Sequence, residues 1–250
     1  EQWATGKSSW LSSDARTSLS EVFEGTLIGD YVTRWGRRSP RKLDDPVRPS
    51  FMGVVPGWAV RAGSEAVAVI VDDRGRMLSL ITVESEGIDT FVEAAAMEAN
   101  YWEVTASRYA EAGPAAQTVV AFGRAGVRLA ARQKDGQQWK TPGHDKAGFG
   151  GTKYETSALW ASFLSMLREG LVGVRDPATL TRLETVVEDD GMAKMPDGSP
   201  LSGRVLALLL AVEGARVARE IGLREEAKKK KIKVVGEGSS GDIWGSYGGR

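Results

Sequence analysis

The segment Phe51–Glu84, FMGVVPGWAVRAGSEAVAVIVDDRGRMLSLITVE, constrains this chain more than any other. It holds three apolar runs. The first is MGVVPG, the second EAVAVIVDD (Glu65 to Asp73), and the third RMLSLITVE (Arg76 to Glu84), with Asp-Arg-Gly-Arg as a tight turn between the last two. Runs rich in Val and Ile and bounded by turn residues suit strands, because β-branched side chains pack well on a pleated surface. Connections this short do not carry a crossover, so the three strands predict an antiparallel meander.

The pattern then changes period. Helical spacing runs from Thr90 to Ala112, with Asp89 or Thr90 as the N-cap and Gly113–Pro114 as the stop. QTVVAF (Gln117 to Phe122) reads as a fourth strand, followed by a helix that begins AGVRLAARQ. A strand that returns after a helix implies a parallel addition to the meander. Residues 135–153 are Gly-rich and basic, the composition of a mobile loop. SALWASFLSMLREG (Ser157 to Gly170) predicts an amphipathic helix ended by glycine, and Asp176 caps a further helix with Pro177 at its first position. Pro200 to Gly222 predicts a long, largely apolar final helix. The expected division is a polar N-terminal arm over 1–50 with a short helix around Arg16–Phe23, one α/β domain over 51–222, and a basic, Gly/Ser-rich flexible tail over 223–250.

Composition narrows the chemistry. The 33 basic and 33 acidic residues cancel, so nucleic-acid affinity has to come from local patches. With no cysteine and only His144, thiolate and multi-histidine metal sites are excluded. A metal here would need carboxylates, which points to Mg²⁺ or Mn²⁺. No apolar run is long enough to span a bilayer, so no membrane partner is expected. The chain opens on Glu1 rather than Met, as a fragment or processed product would. ATGKSS (Ala4 to Ser9) has the closing residues of a phosphate-binding loop. The place of its opening glycine is held by Glu1, and neither flanking element is evident. Any ATPase of the parent protein would lie upstream.

Three strands, a helix, a strand, a helix and a terminal helix follow the order of the RNase H-like fold: an antiparallel meander extended by parallel strands, with helices on both faces. The motifs resemble those of the C-terminal nuclease domain of a viral terminase large subunit. The family ends its first strand GxDxG, where this chain reads Gly53-Val54-Val55-Pro56-Gly57. It then has a hairpin like AVIVxDxxGR, matched by Ala66 to Arg76. An acid and a GxG-like turn follow its fourth strand, resembled by Val119 to Gly126. GGTKYETSALWASFLSMLREG resembles a family TTxxTK…L…LLxxG stretch, and Leu201 to Ala211 takes the place of the closing HDDxVDALALA. The resemblance covers roughly residues 25–220. It implies double-stranded DNA as a partner, possible docking to portal and small terminase proteins, and the cytoplasm of an infected host cell as the location.

All the departures are of one kind. The family's acids would fall at Val55, at Ala121 or Phe122, and at Ser202, Gly203 or Leu206, and none of these is acidic. Two-metal hydrolysis needs those carboxylates to hold one ion that activates water and one that stabilises the leaving oxygen. The expectation is therefore a nuclease-shaped domain without a cofactor, which binds DNA or docks partners. The alternative is an active Mg²⁺/Mn²⁺ endonuclease using displaced acids, with Asp72, Asp73 and Asp197 as candidates. Glu84, Glu86 and Glu213 read as surface charges. Asp189 and Asp190 lie with Asp197 at GMAKMPDGSP, a region the resemblance makes a hairpin near the active site. The pair His144–Asp145 lies in a loop without rigid support. For phosphate contact the candidates are Arg124 and Arg128 at the start of the helix after the fourth strand, Arg204 on the terminal helix, and Lys140, Lys146 and Lys153 with Trp139 and Phe149 in the Gly-rich segment. The lysine run AKKKKIKVV reads either as a polyanion-binding segment or as a solubilising tail, with Trp244 and Tyr247 suited to a partner protein.

Overall fold

The computed structural model describes residues 25–35, 49–56, 65–84, 87–109, 115–127, 149, 153–189 and 192–237. The chain divides into two compact units, Glu1–Arg216 and Val217–Arg250. The core of the first is a six-stranded sheet. Its strands are β1 (Thr26–Ile28), β2 (Val32–Arg34), β3 (Ser50–Val55), β4 (Ala66–Asp72), β5 (Met77–Val83) and β6 (Val104–Tyr109), in the order β1-β2-β5-β4-β3-β6. β3, β4 and β5 form the expected antiparallel meander, and β6 joins β3 in parallel. The helices are α1 (Ile88–Tyr101), α2 (Ala115–Arg124), α3 (Lys153–Arg168), α4 (Pro177–Glu184) and α5 (Gly203–Glu237). A two-stranded hairpin, β7 (Val187–Asp189) with β8 (Met192–Lys194), stands apart from the main sheet.

The meander is buried on both faces. Every residue of β3, and all of β4 except Asp72, is buried, which is why both strands read as unbroken apolar runs rather than as alternations. On one face Met52, Val54, Ala68 and Ile70 join a cluster with Phe91 and Ala95 of α1 and Phe122 of α2. The Phe91 and Phe122 rings meet edge to face, 6.0 Å between centroids. On the other face lies the first half of α5. A Cβ built on Gly53 would fall inside the van der Waals shell of the Ala207 carbonyl oxygen and 2.8 Å from the Ala211 amide nitrogen. One turn on, a Cβ built on Gly214 would sit 3.3 Å from Cδ1 of the Phe51 ring. Missing side chains thus let helix and strand backbones approach closely.

A buried charge ties the edge of the sheet to α1. Glu98 is fully buried, pairs with Arg34 of β2 and accepts a 2.7 Å hydrogen bond from the Ser79 hydroxyl. Trp102 Nε1 donates to Ser79 Oγ at 2.7 Å, and the Arg34 guanidinium lies 3.7 Å over the Tyr101 ring. Removing one partner of such a pair costs about 3–5 kcal/mol, because the other is left buried and unpaired.

Four expectations are corrected. Thr26–Arg34, assigned to the polar arm, is a hairpin that turns through Gly29 at φ +61° and pairs with β5 through β2. Its short β-forming runs around Gly29-Asp30 carried that signal. The helix expected over Thr90–Ala112 starts behind Gly87 and ends at Tyr101, and Val104–Tyr109 is the fourth core strand. QTVVAF is helical, inside α2. Gly113–Pro114 therefore precedes a helix start rather than marking a stop, a place that suits proline equally well. The final helix runs on to Glu237, through the lysine run assigned to a flexible tail. The Asp176 cap of α4 is as expected, with Oδ2 accepting from the Thr179 amide at 2.7 Å and Pro177 in the first turn. The Arg16–Phe23 helix and the P-loop-like Ala4–Ser9 lie outside the described residues.

Two glycine substitutions should move stability in opposite directions. Gly53→Ala forces α5 away from β3 and should lower the unfolding free energy by about 3 kcal/mol or more. Gly123→Ala places a methyl where nothing lies within 4 Å, on a helix, and should raise it by about 0.5–1 kcal/mol. Urea midpoints of the two variants, compared at equal slope, check both signs.

Candidate functional site

The C-terminal end of β3 and the start of α5 come together. Val55 pairs with Val67 of β4, and α5 begins at Gly203. A Cβ on Gly203 would sit 3.8 Å from Val55 Cγ1, 3.5 Å from Val67 Cγ2 and 3.7 Å from the Glu65 carbonyl oxygen. Two positions at which the resemblance puts acids therefore face each other across one methyl-sized gap. Of the others, Leu206 is half-buried on the first turn, its amide bonded to the Ser202 carbonyl at 2.9 Å. The Ser202 hydroxyl is buried and has no hydrogen-bond partner among the described residues.

Next to this junction stands a cluster of ion pairs. Arg204 donates from Nε to Glu65 Oε1 (2.7 Å), from Nη2 to Glu65 Oε2 (2.9 Å) and from Nη1 to Asp176 Oδ2 (3.1 Å). Arg182 of α4 adds a bond from Nη1 to Glu65 Oε1 at 2.8 Å. Glu65 precedes β4, Asp176 caps α4, and Arg204 opens α5, so one guanidinium fastens three elements. The side chains of Glu65, Asp176 and Arg204 are only 9%, 14% and 15% exposed. Burial pushes the Glu65 carboxyl up, but hydrogen bonds and charge from Arg204 and Arg182 outweigh it and hold the group below the usual carboxylate range. The same pairing with Glu65 raises Arg204 against its own burial.

The other candidates are scattered. Asp72 ends β4 far from Val67, roughly 17 Å away at strand rise. Its carboxylate accepts from the Arg74 and Arg76 amides and from Arg76 Nε, which closes the β4–β5 turn. Asp73 lies in that same turn. Neither can serve as a displaced ligand beside Val55. Asp197 Oδ1 accepts from the Ser199 amide in an exposed turn, Asp189 pairs with Lys194, and Glu213 binds Arg216 through two oxygens.

Phe122 and Ala121 lie in α2 against the α1 layer, on the sheet face away from α5, because the fourth strand is β6. Arg124 is the last residue of α2 rather than near a helix start, and with Asp89 and Glu93 it lines a shallow groove between α1 and α2. Arg204 is committed to two carboxylates instead of facing outward. Lys153 is the first residue of α3 and exposed. Phe149 is half-buried, whereas Arg128, Trp139, Lys140, His144, Asp145, Lys146, Glu86 and Asp190 lie outside the described residues.

β6 also moves the second motif. Tyr109, its last residue, pairs with Val54, so the position that follows the fourth strand belongs to residues 110–114. That segment holds Glu111 and lies outside the described residues. The signal was available: Tyr101, Trp102, Val104, Thr105 and Tyr109 concentrate strand-forming residues within nine positions.

The sign of the Glu65 shift makes a pH prediction. A carboxyl depressed in the folded state stabilises the protein above its unfolded pKa and stops doing so as pH falls through the folded value. Wild type should therefore be more stable than Glu65→Gln by a constant margin from neutral pH down to about 4.3, the unfolded glutamate value. Below that the margin should narrow. Urea unfolding of both proteins between neutral and acid pH measures it.

No protein-family model and no curated protein matches the sequence. Among the described residues no helix is long and apolar enough to cross a membrane. Solved structures do match. The large terminase nuclease of the thermophilic phage G20c with bound magnesium superposes with a TM-score of 0.57 at 12% identity, over 80% of this chain and 94% of that one. Its cobalt-bound form gives 0.56 at 11% identity over 80% and 94%. The large terminase nuclease domain of Thermus phage P74-26 gives 0.51 at 12% identity over 79% and 91%. This chain has the RNase H-like fold of large terminase nuclease domains.

Proposed function

We propose that this chain is the nuclease-fold domain of a viral DNA-packaging motor, which holds double-stranded DNA or docks to portal and small terminase proteins without metal-dependent cleavage. The setting is the cytoplasm of an infected host cell. The observation that carries this reading is the meeting of Val55 with Gly203. Where the resemblance puts two carboxylates, the chain offers a branched alkyl group and a hydrogen atom. Hard divalent ions need anionic or carbonyl oxygens, and neither side chain supplies one. The related phage nuclease is known with bound magnesium and cobalt. In contrast, among the described residues of this chain no group of three or more His, Cys, Asp or Glu is placed to hold a metal ion.

Affinity for DNA in this reading comes from phosphate contact through Lys140, Lys146 and Lys153, with Arg124 and Arg128 as secondary contacts, and Arg204 withdrawn into its ion pairs. Such contact is independent of sequence and falls with salt. The competing reading, an active Mg²⁺/Mn²⁺ endonuclease, is favoured by one feature: Glu111 follows the parallel strand.

Two measurements test the proposal. Plasmid DNA incubated with the protein and Mn²⁺ should stay intact; cleavage abolished by Glu111→Ala or Asp197→Ala would establish the endonuclease instead. Duplex affinity should decline steeply with salt, and replacing Lys140, Lys146 and Lys153 by Gln should flatten the log–log slope by about 0.9 per lysine that touches phosphate. An unchanged slope would remove the loop from the interface.

A further inference from the structure

The buried cluster beside Val55 disagrees with a metal centre in a specific way. It contains carboxylates, but they are already neutralised. Glu65 and Asp176 come from separate elements, each mostly buried, and both lie within 3.1 Å of the Arg204 guanidinium. Without that cation the Glu65 and Asp176 carboxylates would share a poorly solvated pocket with Arg182, bonded to Glu65, as their counter-charge. One positive charge for two negative ones attracts a further cation. Arg204 directly follows Gly203, whose missing side chain borders Val55, Val67 and the Glu65 carbonyl. The positive charge therefore stands at the same junction of β3, β4 and α5 where the resemblance puts metal-binding acids.

We infer that this site carries its own fixed cation, the Arg204 guanidinium, in place of exchangeable divalent ions. The inference rests on the metal-free reading of the fold and extends it, because it names what took over the metal's electrostatic role. Tethering explains the preference. A guanidinium delivered by the first turn of α5 has no concentration to lose, and its planar fork matches the Glu65 carboxylate through two hydrogen bonds. A divalent ion entering beside it would meet like charge from both Arg204 and Arg182. Glycine at 203 and valine at 55 fit the same arrangement, since an acid at either place would compete with Glu65 for the guanidinium.

Removal of the internal cation should uncover affinity for an external one. In the 250-residue chain, Arg204→Met keeps much of the side-chain volume and deletes the charge. Its melting temperature should fall in EDTA and recover by about 3 °C or more with Mn²⁺ in excess of its dissociation constant. Wild type should show no such response, and adding Glu65→Gln to Arg204→Met should abolish it. If Arg204→Met stays folded and ignores Mn²⁺, or if the double variant responds equally, Arg204 is not standing in for a metal. Should Arg204→Met fail to fold in EDTA, refolding followed by far-UV circular dichroism decides. Native signal regained only with Mn²⁺ supports the assignment, and none regained in either buffer overturns it. The two readings fail separately: wild-type cleavage of plasmid with Mn²⁺ overturns the metal-free function, whereas a silent Arg204→Met in a non-cleaving protein overturns only the fixed cation.

Discussion

The backbones of α5 and β3 make a close approach at Gly53, where there is no room for a Cβ. Everything at the candidate site follows from it. Because Gly53 presents no Cβ, the helix settles against the strand with the Ala207 carbonyl almost on the glycine. That seating brings Gly203 against Val55 and delivers Arg204 to Glu65. A larger residue at 53 would lift the helix, open the junction and pull the guanidinium from its carboxylates. The approach has a second support in Gly214 over Phe51, so helix and strand are in register over several turns. Packing of this kind is intolerant of added volume, since protein interiors leave little free space.

The two faces of the sheet do different work. Among the described residues the α1–α2 side is an aromatic and aliphatic core with one buried charge, Glu98, satisfied by Arg34 and Ser79. It anchors the edge hairpin β1–β2. The α5 side is where polar chemistry collects, at the end where β3 finishes and β4 begins. Fixed ion pairs there are poor sources of net stability, because desolvation offsets much of the attraction. Their more secure role is specification: one guanidinium carried by α5, with partners at β4 and α4, sets the relative position of the three.

Much of the fold was legible in advance, and the reasons lie in particular residues. The meander was readable because strands buried on both faces must be apolar throughout, as Val67–Val71 are. Asp176-Pro177 announced α4 because a capping carboxylate and a preset proline φ are local effects. Gln117–Phe122 is the opposite case. A short apolar run has no period of its own, and Val119, Val120 and Phe122 suit a buried strand as well as one face of a helix. Assigning it to a strand displaced the second motif from the residues after Tyr109 to Ala121 and Phe122. The hairpin Thr26–Arg34 is faint in the sequence because its strands are three residues long and lie inside a polar stretch, where propensity alone is weak.

The sequence by itself determined which residue types are on hand: no cysteine, one histidine, and no acid at Val55, Ser202, Gly203 or Leu206, where the resemblance puts acids. Those are statements of composition at positions, and no packing can add an oxygen to a valine. Only the tertiary structure decided which charges gather next to Gly203. Glu65, Asp176, Arg182 and Arg204 are separated by as many as 139 positions along the chain, and nothing local to any one of them points to the other three. They meet because a two-sided sheet positions β4 between flanking elements while a glycine lets α5 descend onto β3. Long-range contact of that sort depends on the fold as a whole, which no local window of residues encodes.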